Sequence, residues 1–131
     1  MTDTPIAIDL KYGGVTEAAA SFVFKGDTGY VLVESGPLAT LETLKAGLLE
    51  VGVDPASIKA VFLTHIHLAH AGAAGRSAAH GADIYVHAFG VKHLIDPSKI
   101  NESARRIYGE RLSEVSGEML PCPASKVHAV A

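Results

Sequence analysis

Hydrophobic and polar positions change period several times along the chain, and each change predicts an element. Ile6 to Leu10 alternates weakly and predicts a first strand. Ala20–Lys25 and Tyr30–Glu34 are β-branched and aromatic runs flanking Gly26-Asp27-Thr28-Gly29, the pattern of a hairpin with Asp27 as a turn former. Ser35-Gly36-Pro37 breaks the second run, and proline suits the first turn of a helix. Leu38, Leu41, Leu44, Leu48 and Leu49 follow at helical spacing, with Gly52 as the stop and Asp54-Pro55 as a turn. Lys59–Thr64 is a short apolar run that predicts a strand buried on both faces. Ala71–His80, rich in Ala and Gly, predicts a helix packed closely on a sheet. Asp83–His87 predicts a strand and Phe89–Ile95 a helix. Asp96-Pro97 ends that helix and caps another, which places Ile100, Ala104, Ile107 and Tyr108 on one side. Past Gly109 the pattern weakens, Pro121-Cys122-Pro123 blocks regular structure, and Lys126–Ala131 begins a further strand. Strands alternating with helices predict an α/β sheet.

Composition narrows the picture. A chain of 131 residues, 48% apolar and 19% charged, fits one domain with a real core rather than a disordered tail. No repeat or linker divides it. A formal charge of −3 argues against a nucleic-acid partner. One cysteine excludes a disulfide framework and a cysteine-based zinc finger. The uncharged run Ala60–Gly75 is shorter than a membrane span and holds three histidines, so no membrane partner is expected. The start Met1-Thr-Asp-Thr-Pro carries no signal-peptide pattern, and a cytoplasmic setting is the expectation. Neither a phosphate-binding loop nor a Gly-x-Ser-x-Gly elbow is present; Gly72-x-x-Gly75 lacks the lysine and hydroxyl that the former needs.

Candidate chemistry concentrates in His65, His67 and His70. They follow the apolar strand directly, where α/β proteins place ligands, at the carboxyl ends of strands. Neutral imidazole is a good ligand for zinc, iron or manganese. In an extended stretch His65 and His67 point to the same side and can grip one ion, while His70 lies where the chain turns into a helix. Polar loop histidines with ordinary hydrogen bonds are the plainer alternative.

Thr64-His65-Ile66-His67-Leu68-Ala69-His70 resembles the Thr-His-x-His-x-Asp-His metal motif of the metallo-β-lactamase superfamily. The hairpin, the Glu34-Ser35-Gly36-Pro37 turn, the helix 38–51 and the strand 84–87 come in that family's order, so the resemblance covers roughly residues 18 to 110. It implies the N-terminal half of an αβ/βα sandwich, a mixed sheet with helices on one face, and makes residues 1–131 a single half domain. The inherited chemistry it implies is hydrolysis of an ester, amide, thioester or phosphate bond by a metal-held hydroxide. Two departures qualify this. Ala69 replaces the motif aspartate, which in relatives binds the second metal and orients water. The family's C-terminal half, with its further ligands, lies beyond residue 131. His65 and His67 then serve a first metal and His70 a second, fewer than the three protein ligands usual at catalytic zinc.

The resemblance therefore implies a metal-dependent hydrolase by lineage, with a small-molecule substrate if active and weak or no activity from this chain alone. The alternative is a non-catalytic half domain that self-associates or binds a partner, with weak or no metal binding. A homodimer, or a complex with a C-terminal-half partner, is expected because runs 22–24, 31–33 and 61–63 would otherwise leave an apolar sheet face wet. Other residues stay open. Glu34 matches an acidic position of relatives or is a solvated strand-end charge. His87 ends a strand on the same edge as the cluster or is a loop histidine. His80, His93 and His128 read as surface residues, and Cys122 as an unreactive thiol. Arg105-Arg106 is a solvated pair or a contact to the other half.

Overall fold

The computed structural model describes residues 6–10, 20–26, 29–64, 66, 71–79, 81–112 and 117–130. Six strands form one mixed sheet in sequence order: β1 (Ile6–Asp9), β2 (Ala20–Lys25), β3 (Tyr30–Val33), β4 (Ile58–Phe62), β5 (Asp83–His87) and β6 (Val127–Val130). The first three strands pair antiparallel, as hairpin connections require. Strands β3 to β6 pair parallel, because each crossover carries a helix that returns the chain to the same end. These crossovers hold α1 (Leu41–Glu50), α2 (Ala74–Ala79), α3 (Val91–Ile95) and α4 (Ser98–Tyr108).

The predicted hairpin forms across Gly26 and Gly29, whose N–H and C=O close it at 2.7 Å. Asp27, its expected turn former, lies outside the described residues. The leucine-spaced helix is a 3₁₀ turn at Leu38–Thr40 followed by α1, which buries Leu41, Leu44 and Leu48. It ends as Gly52 predicts. The left-handed φ of +82° there lets Gly52 N–H reach Leu49 O at 3.0 Å and Val53 N–H reach Leu48 O at 2.8 Å.

One face of the sheet carries the core. Ile8, Val23, Leu32, Val61, Ile84 and Val86 are buried there against Leu44, Leu48, Ala74, Ala78 and Leu94 from the helices. The expectation that the 59–64 strand is buried on both faces is corrected. Burial alternates along β4, and Phe62 remains 41% exposed, because the helices among the described residues cover only one side of the sheet. A second correction concerns α4. Ile100 packs on the core and Ala104 is buried, but Ile107 and Tyr108 are exposed. Asn101 takes the buried position instead, for a polar reason: its amide spans the Met119 backbone, donating to the C=O at 3.0 Å and accepting from the N–H at 2.7 Å. That clamp holds the irregular segment 117–123, and Cys122 N–H secures it further on Leu94 O at 2.8 Å.

The Ala- and Gly-rich helix is also observed, α2 occupying Ala74–Ala79. Small side chains allow close packing. A Cβ on Gly75 would sit 2.6 Å from the carbonyl oxygen of Leu120 and 2.8 Å from that of Pro121. No helix among the described residues is long and apolar enough to cross a membrane.

Candidate functional site

The carboxyl ends of β3, β4 and β5 lie side by side, and each delivers a polar residue to the same edge of the sheet. Glu34 follows β3, Thr64 follows β4, and His87 ends β5. His65, His67, His70 and Ala69 lie outside the described residues, as does His80. The residues on either side of the cluster are tied into the fold.

Glu34 decides the geometry on one side. It is the one non-glycine residue with positive φ among the described residues, at +71°. That left-handed backbone costs a side-chain-bearing residue about 1–2 kcal/mol, so surrounding bonds must hold it. They do. Glu34 N–H donates to Phe62 O at 2.9 Å, and Ser21, fully buried on β2, donates its hydroxyl to Glu34 O at 2.5 Å. The turn folds the Glu34 side chain inward, where it is 6% exposed and its Oε1 accepts the Thr64 N–H at 2.7 Å. The reading of Glu34 as a solvated strand-end charge is thereby corrected. Its carboxylate serves the backbone that leads into His65.

The far side of the histidine segment is tied to the same turn. Ala73 N–H donates to Gly36 O at 2.9 Å, just after residues 65–70. Between the two anchors, Ile66 packs on the core. A Cβ on Gly90 would come within 2.6 Å of the Ile66 Cγ2, so the chain approaches as closely as it does because Gly90 has no side chain. Thr64 and Ala73, which flank the histidine motif in sequence, are thus both tied to residues 34–36.

The remaining candidates fall elsewhere. His87 stands exposed at the edge, where its Nδ1 accepts the Phe89 N–H at 3.1 Å and caps the 3₁₀ turn Ala88–Gly90. His93 lies on α3, half-buried. His128, expected as a plain surface residue, instead lies across β6 from β5, with Nε2 2.9 Å from Asp83 Oδ1 and its ring stacked on Tyr85 at 5.0 Å. The hydrogen bond to His128 holds the Asp83 carboxyl below its ordinary range. Arg105 and Arg106 pair within the chain, with Glu118 and Glu102, and the Arg105 hydrogen bond keeps the Glu118 carboxyl low. Neither arginine is a bare solvated charge. Burial pushes the Cys122 thiol up to about 11, in keeping with an unreactive sulfur. Among the described residues no group of three or more His, Cys, Asp or Glu side chains is placed to hold a metal ion.

The groove under α1 does not compete for the role. It has a volume of about 390 Å³ and is lined by Leu44, Leu48 and Ile58, with Lys45, Asp54 and Arg76 at its rim. It sits at the amino end of β4, at the opposite end of the sheet from Glu34, Thr64 and His87. Lys45 lies 3.6 Å from Glu42, and the Asp54 carboxylate caps the turn that begins at Pro55. Ligand-binding edges of parallel sheets are the carboxyl ones.

Comparison with known proteins bears on the family and the fold. A family model described as the metallo-beta-lactamase superfamily matches residues 14–127. No curated protein matches the chain by sequence. Among solved structures, the metallo-beta-lactamase SMB-1 in complex with mercaptoacetic acid is 18% identical, with a TM-score of 0.70 over 97% of this chain and 43% of its own. BJP-1, a subclass B3 metallo-beta-lactamase of Bradyrhizobium japonicum, is 18% identical, with a TM-score of 0.69 over 98% and 43%. FEZ-1 from Legionella gormanii is 18% identical, with a TM-score of 0.66 over 94% and 42%. The chain therefore spans less than half the length of the solved structures it resembles.

Proposed function

The chain belongs to the metallo-beta-lactamase superfamily, a lineage of metal-dependent hydrolases, and from that premise we propose that it retains metal binding through His65, His67 and His70 while hydrolysing substrate weakly or not at all by itself. The observation that carries this reading is the double anchor on the histidine segment, Thr64 N–H on Glu34 and Ala73 N–H on Gly36. A metal site needs its ligands held in place before the ion arrives, and supporting hydrogen bonds behind the ligands do that. Ile66 packed on the core supports the same reading. An extended stretch, as the sequence predicts, would place His65 and His67 together on the side opposite Ile66.

Three imidazoles suit zinc, and iron or manganese less exclusively. Zinc at such a site supplies Lewis acidity toward water and a substrate oxygen. The chain's own part in this proposal is to supply the His65, His67 and His70 imidazoles as ligands. Ala69 restricts the chemistry open to such a site. A methyl group offers no lone pair, so a second cation gains no carboxylate there and no base orients an attacking water. For that reason activity of this chain alone is marginal, and a non-catalytic module is the second reading, which Ala69 favours. A small-molecule substrate and a cytoplasmic setting complete the proposal.

Titration of zinc or cobalt into metal-free protein tests it. The wild type should bind at least tenfold more tightly than the His65→Ala, His67→Ala double variant, and Ala69→Asp should add affinity for a second equivalent. Equal affinity of wild type and double variant overturns the assignment. Brisk metal-dependent turnover by the wild-type chain overturns the claim of marginal activity.

A further inference from the structure

The groove under α1 lies on the helix-bearing face of the sheet, and all its lining residues fall between Leu32 and Ala82. Its volume of about 390 Å³ is that of a small-molecule site, for which roughly 300–1,000 Å³ is usual. Leu44, Leu48 and Ile58 line it and are buried, while Leu49 adds an apolar side chain that is 63% exposed. Three charged residues stand at the rim. Two of them have uses within the chain: Lys45 lies 3.6 Å from Glu42, and Asp54 accepts the Ala56 N–H at 2.9 Å. Arg76 differs. It lines the groove from α2, beside the half-buried Ser77, and its guanidinium has no ion pair or hydrogen bond among the described residues. An apolar groove with one unengaged cation at its edge is complementary to an anion with an apolar body.

We propose that the groove binds a singly charged aliphatic carboxylate, with its tail among the α1 leucines and its head group on Arg76. Charge complementarity selects the head group. The planar guanidinium fork matches a carboxylate through two parallel hydrogen bonds. Asp54, at the same rim, repels a second negative charge and so disfavours a dianion. Length selects the tail. Leu41 to Leu48 covers about 10 Å of α1 at 1.5 Å per residue, room for an alkyl chain of about eight carbons. Each methylene taken out of water there adds affinity in proportion to its area. The site is separate from the metal ligands proposed above, because it opens at the amino end of β4 and Thr64 leads into His65 at the other. Its occupancy is therefore read without metal, and its failure leaves the metal assignment standing.

Calorimetric titration of octanoate into the metal-free 131-residue chain should give saturable one-to-one binding. The urea midpoint should rise with octanoate, because only the folded chain has the groove. Hexanoate, two methylenes shorter, should bind on the order of tenfold more weakly. Loss of the charge pair should cost about tenfold from either side, in 1-octanol with the wild type and in octanoate with Arg76→Gln. Arg76→Gln should bind 1-octanol as the wild type does, which shows that the variant is folded and its groove intact. Leu49→Glu, at an exposed position, should abolish octanoate binding, and Ile107→Glu on α4 should leave it unchanged. Absence of saturable octanoate binding below about 10 mM, equal affinity for octanoate and 1-octanol, or tighter binding of octyl phosphate would each overturn the proposal. So would octanoate affinity unaltered by Arg76→Gln or by Leu49→Glu.

Discussion

Replacing Glu34 separates a structural carboxylate from a solvated one. In Glu34→Ala the Thr64 N–H loses the acceptor now 2.7 Å away, inside a site where the side chain is 6% exposed. A hydrogen bond to a charged acceptor contributes about 1.5–3 kcal/mol, and an unsatisfied buried donor costs a similar amount. Glu34 takes part in further contacts, so that range is a lower bound. Backbone strain gives an internal control. Alanine keeps the Cβ that makes the φ of +71° unfavourable, whereas glycine removes it and regains about 1 kcal/mol. Glutamine retains an acceptor oxygen and should lose less than about 1 kcal/mol. The expected order of stability is therefore wild type, Glu34→Gln, Glu34→Gly, Glu34→Ala. Urea denaturation at pH 7 reads this order. Zinc titration of the same variants reads the consequence: Glu34→Ala should weaken binding about tenfold, because Thr64 directly precedes His65. Glu34→Ala within 0.5 kcal/mol of wild type, or Glu34→Gly no more stable than Glu34→Ala, would refute the reasoning.

Two further outcomes concern the packing behind the site. Gly75→Ala should destabilise the fold by about 1–3 kcal/mol, since the new Cβ would meet the Leu120 and Pro121 carbonyl oxygens at 2.6 and 2.8 Å; a higher urea midpoint, as helix propensity alone predicts, would show that the segment yields freely. Cys122 should make stability fall on the alkaline side. The folded thiol, pushed up to about 11 from 9.0, keeps its proton where the unfolded one releases it. The contribution is complete below pH 9 and is lost as pH rises to 11, about 2–3 kcal/mol in all. A Cys122→Ala variant whose stability falls just as steeply over that window would contradict this.

How much of the fold and the site was legible in the sequence depends on how far apart the interacting residues lie. The period-two runs at 20–25, 30–33 and 83–87, and the leucine spacing that becomes α1, are properties of neighbouring residues, so the sequence alone determined the strands, the helix and its glycine stop. The histidine motif, too, is a local pattern, recognised in the sequence by its position after an apolar run. Tertiary structure decided the rest. Glu34 is thirty residues from Thr64, and nothing local distinguishes a carboxylate that turns inward to a backbone N–H from one that points to water. His128 carries no spacing signal, yet parallel pairing of β6 on β5 sets it beside Asp83 and Tyr85. Asn101 sits on a stripe that predicts only apolar burial, and its role exists because Met119 passes overhead. Even β4 was ambiguous, since an apolar run of five or six residues reads alike whether helices cover one face or two. Side-chain alternation specifies which residues share a face; only the assembled sheet specifies which face is covered.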